Sequence, residues 1–237
     1  MSDAWYLVVN GSFWLRHTSE PRAVWFADFT GSPTARREPF SGTLPFGERL
    51  VGTCADASWE LSLRGSAAPF HYFPVWLRPL AATNVTVERP AVRVDGWFEA
   101  GGVRHELDEA PGEVAHVRTR RHADEWGWFH AALPDGGWLD GLVGKAKGLP
   151  QIALHARNGH RRWARGSAAP GRMRVGPYRV EAPPESFVGV TYVDPDGSEV
   201  YCWHSEHARL TGDGLAVERV ALEYGSRAKV DGWPISI

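Results

Sequence analysis

The stretch His122-Ala123-Asp124-Glu125-Trp126-Gly127-Trp128-Phe129-His130 puts two imidazoles, two carboxylates and two indoles within nine residues. Imidazoles and carboxylates move protons near neutral pH, and indole faces stabilise positive charge, so the chemistry on offer is acid–base work in an aromatic setting. If the stretch is one strand, alternation places His122, Asp124, Trp126, Trp128 and His130 on one face and Ala123, Glu125, Gly127 and Phe129 on the other. The first face suits the wall of a wet but aromatic cavity, and the second suits a sheet interface. A bulge at Gly127 would reset the alternation and bring Glu125 round. The same residues also read as two core tryptophans flanked by surface His and Asp at the strand ends.

Metal binding by this segment fails on distance. His122 and His130 would stand about 26 Å apart on a straight strand, whereas ligands to one ion converge within about 4 Å. His204 and His207 share a face only in a helix, and a strand continuing from Tyr201 separates them. No metal site is expected. His155 and His160 flank Asn158-Gly159, a two-residue turn that pairs Arg157 with His160, His155 with Arg162 and Leu154 with Trp163; this is expected to be a solvated basic face. Gly141 to Ala146 lacks the first glycine and the Ser/Thr of a phosphate loop. No Gly-x-Ser-x-Gly elbow and no Gly-x-Gly-x-x-Gly after a strand occurs, which leaves conventional hydrolase and nucleotide-dependent chemistry without support. A second aromatic neighbourhood lies in Phe187 to His204, where a hairpin gathers Tyr192, Asp194, Tyr201, Trp203 and His204. Asp194 and Asp196 are expected to serve its turn.

These residues need elements to hold them. The chain has 237 residues and 12 tryptophans, far more indole surface than an ordinary core requires. Lys+Arg 26 against Asp+Glu 28 gives a net charge of -2, which argues against a general affinity for nucleic acid or anionic membrane. No window approaches the roughly 18 consecutive apolar residues of a membrane span, no signal-like leader opens the chain, and Cys54 and Cys202 share no metal or disulfide-framework spacing. A reduced, cytoplasmic protein without stable membrane insertion is the expectation.

Long segments with helical period are absent, and short β-rich runs separated by turns fill the chain. Trp59 to Leu63 and Val92 to Phe98 alternate as half-buried strands. Asn10-Gly11, Asn158-Gly159 and Asp194-Pro195-Asp196-Gly197 mark hairpins. The fold class is therefore all-β, and the length fits one large barrel or sandwich, or two small barrels in tandem.

Phe13-Trp14-Leu15-Arg16, Val24-Trp25-Phe26-Ala27-Asp28, Trp59-Glu60-Leu61-Ser62-Leu63 and Ala115-His116 leading to Glu125 to His130 occur in an order that resembles the tandem lipocalin-like superfamily. That superfamily includes carotenoid 1,2-hydratases (hydroxyneurosporene synthases), tocopherol cyclases and Diels-Alderase-type cyclases. Tyr192 to Gly197 followed by Tyr201-Cys202 is similar to the late hairpin of its bacterial members. Where family members often carry His followed closely by Trp-Gly, here His116 is followed by Val117-Arg118-Thr119-Arg120-Arg121 and the Trp-Gly pair comes at Trp126-Gly127. The resemblance implies two lipocalin-like antiparallel β-barrel domains in tandem, residues 1–114 and 115–237, with an apolar ligand in one or between them.

On this footing the expected function is cofactor-independent cyclisation, isomerisation or hydration of a hydrophobic prenyl, terpenoid or polyketide-derived polyene. Asp124 or Glu125 would be the acid, with His130 or His116 as the paired base or hydrogen-bonding partner. Trp126, Trp128, Tyr192, Tyr201, Trp203 and Trp59 would form the substrate wall. The competing expectation is a carrier or sensor that holds an apolar ligand unchanged, with every His, Asp and Glu between His122 and His130 facing solvent.

Overall fold

The structure, a computed structural model, describes residues 2–18, 23–27, 35–42, 47–54, 57–65, 68–194 and 196–230. Asp28 and Pro195 lie outside these residues. The first sheet holds β1 (Ser2–Val9), β2 (Phe13–Thr18), β3 (Ala23–Ala27), β4 (Ala35–Gly42), β5 (Arg49–Cys54), β6 (Ala57–Arg64), β7 (Phe70–His71), β8 (Thr83–Ala100) and β9 (Val103–Thr119). The strands pair in the order β6-β5-β4-β3-β2-β1-β9-β8-β7, and β6 also pairs with β8, so the sheet closes into a barrel with β7 on its flank. Closure satisfies backbone groups that an open edge would leave unpaired.

The second sheet holds β10 (Glu125–Ala132), β11 (Trp138–Lys145), β12 (Ile152–Arg157), β13 (His160–Trp163), β14 (Gly166–Ala169), β15 (Arg172–Val175), β16 (Tyr178–Glu181), β17 (Val188–Val193), β18 (Glu199–Gly212) and β19 (Leu215–Ser226). Its order is β13-β12-β11-β10-β19-β18-β16-β15-β14, with β17 on β18, and it curls into a half-barrel. The architecture is all-β and antiparallel throughout, as the sequence pattern requires. Strand β9 runs through residues 114 and 115, and the chain passes from the first sheet to the second at 120–124.

Local chemistry explains the register. Asn158 and Gly159 take φ of 49° and 83°, the left-handed pair of a two-residue hairpin turn, and the strands beside them pair Arg157 with His160, His155 with Arg162 and Leu154 with Trp163. In β6, Ala57, Trp59, Leu61 and Leu63 are buried while the residues between them are more exposed. They join Leu7, Phe13 and Phe98 in the core of the first barrel. Phe129, Met173, Val180 and Leu210 belong to the core of the second. Two further apolar clusters lie in the seam where the outer faces of the sheets meet, one around Trp14 and Trp126, the other around Tyr72 and Trp138.

Candidate active site

Strand β10 decides the geometry of the seam. It pairs with β11 and β19 without a break in register, so Gly127 is not a bulge and the alternation runs straight. Phe129 enters the second core, and a Cβ on Gly127 would come within 2.5 Å of the Ala168 Cβ, so glycine lets β14 close over the strand. The even-numbered residues face the first barrel. On the opposing wall β1 and β9 alternate likewise: Leu7, Val9 and Val114 fill the first core, whereas Tyr6, Val8, Glu113, Ala115 and Val117 face the seam.

Between these walls is a cavity of about 530 Å³. Its lining is mostly apolar, with Trp14, Trp126, Trp128, Leu142 and Val85 among the contributors, and carries Glu113, His204, Glu206 and Glu223. Such a concave apolar site with a few convergent polar groups is what small-molecule sites look like.

Behind its wall the two sheets share a buried acid cluster. His130 is completely buried, and its Nδ1 lies 2.7 Å from Asp140 Oδ1 and 3.1 Å from Glu113 Oε2. Register places these groups: His130 is directly opposite Asp140 across β10 and β11, and Glu113 reaches over from β9. Asn10 Nδ2 donates to the His130 carbonyl at 3.0 Å and ties the β1–β2 turn to the same point. Tyr72, fully buried, lies with its hydroxyl against Asp140 and accepts a hydrogen bond from Trp128 Nε1 at 2.8 Å. Glu206, on β18, is buried close enough to His130 and Glu113 to feel both charges.

The electrostatics follow from burial. Desolvation pushes Glu113 up to about 7, with Asp140 adding to the rise and the imidazole opposing it. Desolvation likewise raises Asp140 against the pull of His130, and holds Glu206 well above the ordinary carboxylate range. Burial alone would lower His130, but the carboxylates of Glu113 and Asp140 outweigh it and take the imidazole up to about 10. The cluster therefore sets an imidazole that favours its charged form among three carboxyls that all hold their protons above the ordinary carboxylate range. His130 Nε2, Asp140 Oδ2 and Glu206 Oε2 have no hydrogen-bond partner among the described residues. An unmet buried polar atom costs about 1–3 kcal/mol, and such a cost is typically carried where a site needs the group. Glu113, His130 and Asp140 each offer an atom within 4.8 Å of the others, a spacing close enough to face one cation. The imidazole Nδ1 between two carboxylate oxygens is equally the arrangement of one shared proton.

A second polar chain adjoins the first. Glu223 accepts from Trp126 Nε1 at 2.5 Å and lies 3.3 Å from His204 Nδ1, while His204 Nε2 meets the Tyr192 hydroxyl at 3.1 Å. Trp14 packs over the His204 ring at 4.2 Å between centroids. Arg16 donates to the Tyr6 hydroxyl at 2.8 Å and stacks over Tyr192 at 4.3 Å. Burial lowers His204, and Arg16 adds to the lowering while Glu223 opposes it.

The residues singled out from the sequence are dispersed relative to this site. Trp126 and Trp128 line the cavity, and His130 sits in the acid cluster behind it. Asp124 lies at the cavity wall, where Arg121 at 3.3 Å and the Lys147 amide engage its carboxylate. Glu125 points to the other face and accepts from the Tyr224 hydroxyl at 3.0 Å. His116 alternates with Ala115, so it turns away from the seam, stacking on Trp5 at 4.6 Å and meeting Asp3 at 3.3 Å. Trp59 is in the first core, stacked on Phe98 at 6.0 Å. Trp203 stands on the face of β18 opposite His204 and packs against Tyr224 at 5.8 Å, and the Tyr201 hydroxyl donates to Glu199. Tyr192 is buried in the polar chain rather than on the cavity wall. Asp196 serves the β17–β18 turn as expected, but Asp194 does not: its carboxylate holds His122 Nδ1 at 2.5 Å and Arg227, locking the turn to the segment that leads into β10. Glu113, Asp140, Glu206, Glu223 and Tyr72 escaped the sequence reading.

A closed β-barrel docked by its outer face on a curled half-barrel, with a cavity in the seam, is the tandem lipocalin-like fold that the sequence resembles. An AttH-like protein of Nitrosomonas europaea superposes with a TM-score of 0.62 at 14% identity, covering 94% of this chain and 91% of that one. CghA with Sch210972 superposes at 0.58 and 12% identity, over 96% and 89% of the two chains. Kievitone hydratase from Nectria haematococca superposes at 0.55 and 10% identity, over 95% and 88%. At these identities the likeness is one of fold. No protein-family model matches the sequence. Over 188 residues the chain is 31% identical to Rv0493c, an uncharacterized protein of Mycobacterium tuberculosis, a match covering 68% of this chain and 56% of the relative. The chain thus spans little more than half the length of that curated relative.

Proposed function

We propose that the protein is an enzyme that uses the buried acid cluster to move a proton to or from an apolar small molecule held in the seam cavity. The ligand class is a prenyl, terpenoid or polyketide-derived polyene, and the outcome is cyclisation, isomerisation or hydration. The observation that carries this reading is that three buried carboxyl groups crowd one imidazole, and two of them, Glu113 and Glu206, border an apolar cavity. A neutral carboxylic acid in such a cavity is poorly solvated as its anion and is a strong donor to a carbon or oxygen that is developing charge. Glu206 supplies the proton, Glu113 accepts the one released, and His130 with Asp140 holds the reserve. Trp126 and Trp128 present indole faces that favour a cationic intermediate. The fold is shared with a hydratase. A plain carrier would keep its charged groups in solvent, and His130 is completely buried among carboxylates.

The test is incubation with a panel of prenyl alcohols, terpenoids and linear polyenes in D₂O, read by mass spectrometry. Expected is deuterium fixed on ligand carbon, or a product of changed mass or retention, and a loss of about 10²–10⁴-fold in rate in Glu206→Gln and Glu113→Gln while farnesol binding, followed by tryptophan quenching, persists. Binding without label or product across the panel overturns the reading, as do unchanged rates in both variants.

A further inference from the structure

Eight large apolar side chains are exposed among the described residues, and five of them stand on two stretches that meet at one end of the cavity. Val75, Trp76 and Leu80, at 72%, 71% and 78% exposure, belong to the turn between β7 and β8; Leu149 and Trp163, at 68% and 52%, flank the β12–β13 hairpin. Leu80, Leu149 and Trp163 also line the cavity, so this is its rim. Arg161 joins the stretches by donating to the His71 carbonyl and lying over the Phe70 ring.

The surrounding charge is one-sided. Residues 141–180 contain nine Lys or Arg and no Asp or Glu, residues 114–123 three Arg and no acid, and residues 65–87 only Arg78. Of these cations, Arg78 and Arg120 hold the β7–β8 turn itself, donating to the Phe73 carbonyl at 3.1 Å and the Pro79 carbonyl at 3.2 Å. Arg121 and Lys147 line the cavity, and Arg120 and Lys147 are exposed. Asp124, which lines the cavity too, has its carboxylate engaged by Arg121 and the Lys147 amide.

Exposed Trp and Leu ringed by Lys and Arg match the interfacial zone of a lipid bilayer, where apolar side chains enter the acyl boundary and cations meet anionic headgroups. We propose that this rim docks on an anionic membrane surface, with the cavity opening onto the lipid so that an apolar ligand enters without crossing water. A second copy docked through the same face would set like charge against like, which disfavours it. The inference shares with the proposed function only the apolar cavity, and its test reads no turnover, so the two can fail separately.

The experiment is co-sedimentation of the full chain with phosphatidylcholine vesicles with and without phosphatidylglycerol, at low and high salt. Expected is binding that requires phosphatidylglycerol and weakens with salt. The pair Leu80→Asp and Leu149→Asp should weaken it about tenfold or more by removing the penetrating side chains. The pair Arg120→Gln and Lys147→Gln should weaken it about tenfold or more, each cation contributing about fivefold. Circular dichroism of the variants must match that of the parent. No phosphatidylglycerol-dependent binding at low salt overturns the proposal. So does binding that both pairs leave intact, and so does a concentration-dependent dimer that the Leu pair abolishes in a protein that ignores vesicles.

Discussion

Replacing Glu113 by Gln keeps the shape of a completely buried side chain and removes its ionisation. In the folded protein Glu113 gives up its proton at about 7, against 4.5 for an unperturbed Glu. A raised carboxyl contributes stability in full below its unfolded value and loses it as pH climbs through the folded one, because the folded state holds the proton longer. Integrated between pH 5 and pH 7, the loss is about 2 kcal/mol. The corresponding change for His130 runs from its ordinary 6.5 to about 10, so only about 0.8 kcal/mol of it falls within this window. Urea unfolding followed by tryptophan fluorescence at pH 5, 6 and 7 should therefore show the parent losing about 2 kcal/mol relative to Glu113→Gln as pH rises. Parallel pH dependences, within about 0.5 kcal/mol, would mean that Glu113 is not a high-pKa buried acid and would remove the basis of the proposed chemistry.

Three further outcomes test neighbouring parts of the site. Glu206→Leu replaces a buried carboxyl with an unpartnered oxygen by an apolar group of similar size, so its melting temperature should rise while turnover on the panel is lost; a fall in both would place Glu206 among stabilising groups instead. Gly225→Ala puts a Cβ 2.1 Å from the Trp126 ring, which forces the indole into the cavity; thermal unfolding should report about 1–3 kcal/mol of destabilisation and farnesol quenching a weaker ligand complex. Phe129→Ala empties the second core under the same strand and should cost about 3–5 kcal/mol in urea unfolding, with vesicle binding of the folded fraction unchanged.

Much of β10 was legible because its chemistry is local. Alternation alone put Trp126, Trp128 and His130 on one face, and the unbroken pairing with β11 and β19 keeps them there. Asn158-Gly159 fixed its hairpin register for the same reason, since a two-residue turn leaves no choice of partners. The acids were not legible in the same way. Glu113, Asp140 and Glu206 stand alone on three strands, and only the docking of two sheets brings them together. One signal was present: Asp140 interrupts Trp138-Leu139-Asp140-Gly141-Leu142-Val143, and a carboxyl in an otherwise apolar strand is buried or sits at an edge. Asp124 and Glu125 drew attention by sequence proximity to the tryptophans, but they sit at the start of β10, where the strand emerges and salt bridges and backbone amides are within reach. Net charge carries less, because a sum over the chain does not show the acid-free stretch at 141–180.

The position of the cluster follows from what the two interiors have already used. Trp59, Phe13 and Phe98 stack through the first barrel, and in the second the Phe129 ring lies so close to Gly141 that a Cβ there would come within 2.1 Å of it. At these points both interiors are filled by aromatic rings, and the cavity lies between the outer faces. An outer face of a lone barrel is wetted, and on it Glu113 would titrate as an ordinary carboxylate. Docking the half-barrel removes that water and brings His130, Asp140 and Glu206 to within interaction distance, so the same contact that forms the cavity also raises the acids that border it. Acid strength in this protein is thus a property of the seam and not of any single strand. A substitution that loosens the seam while leaving Glu113 and Glu206 in place should therefore lower turnover by returning both carboxyls towards their solvated pKa values.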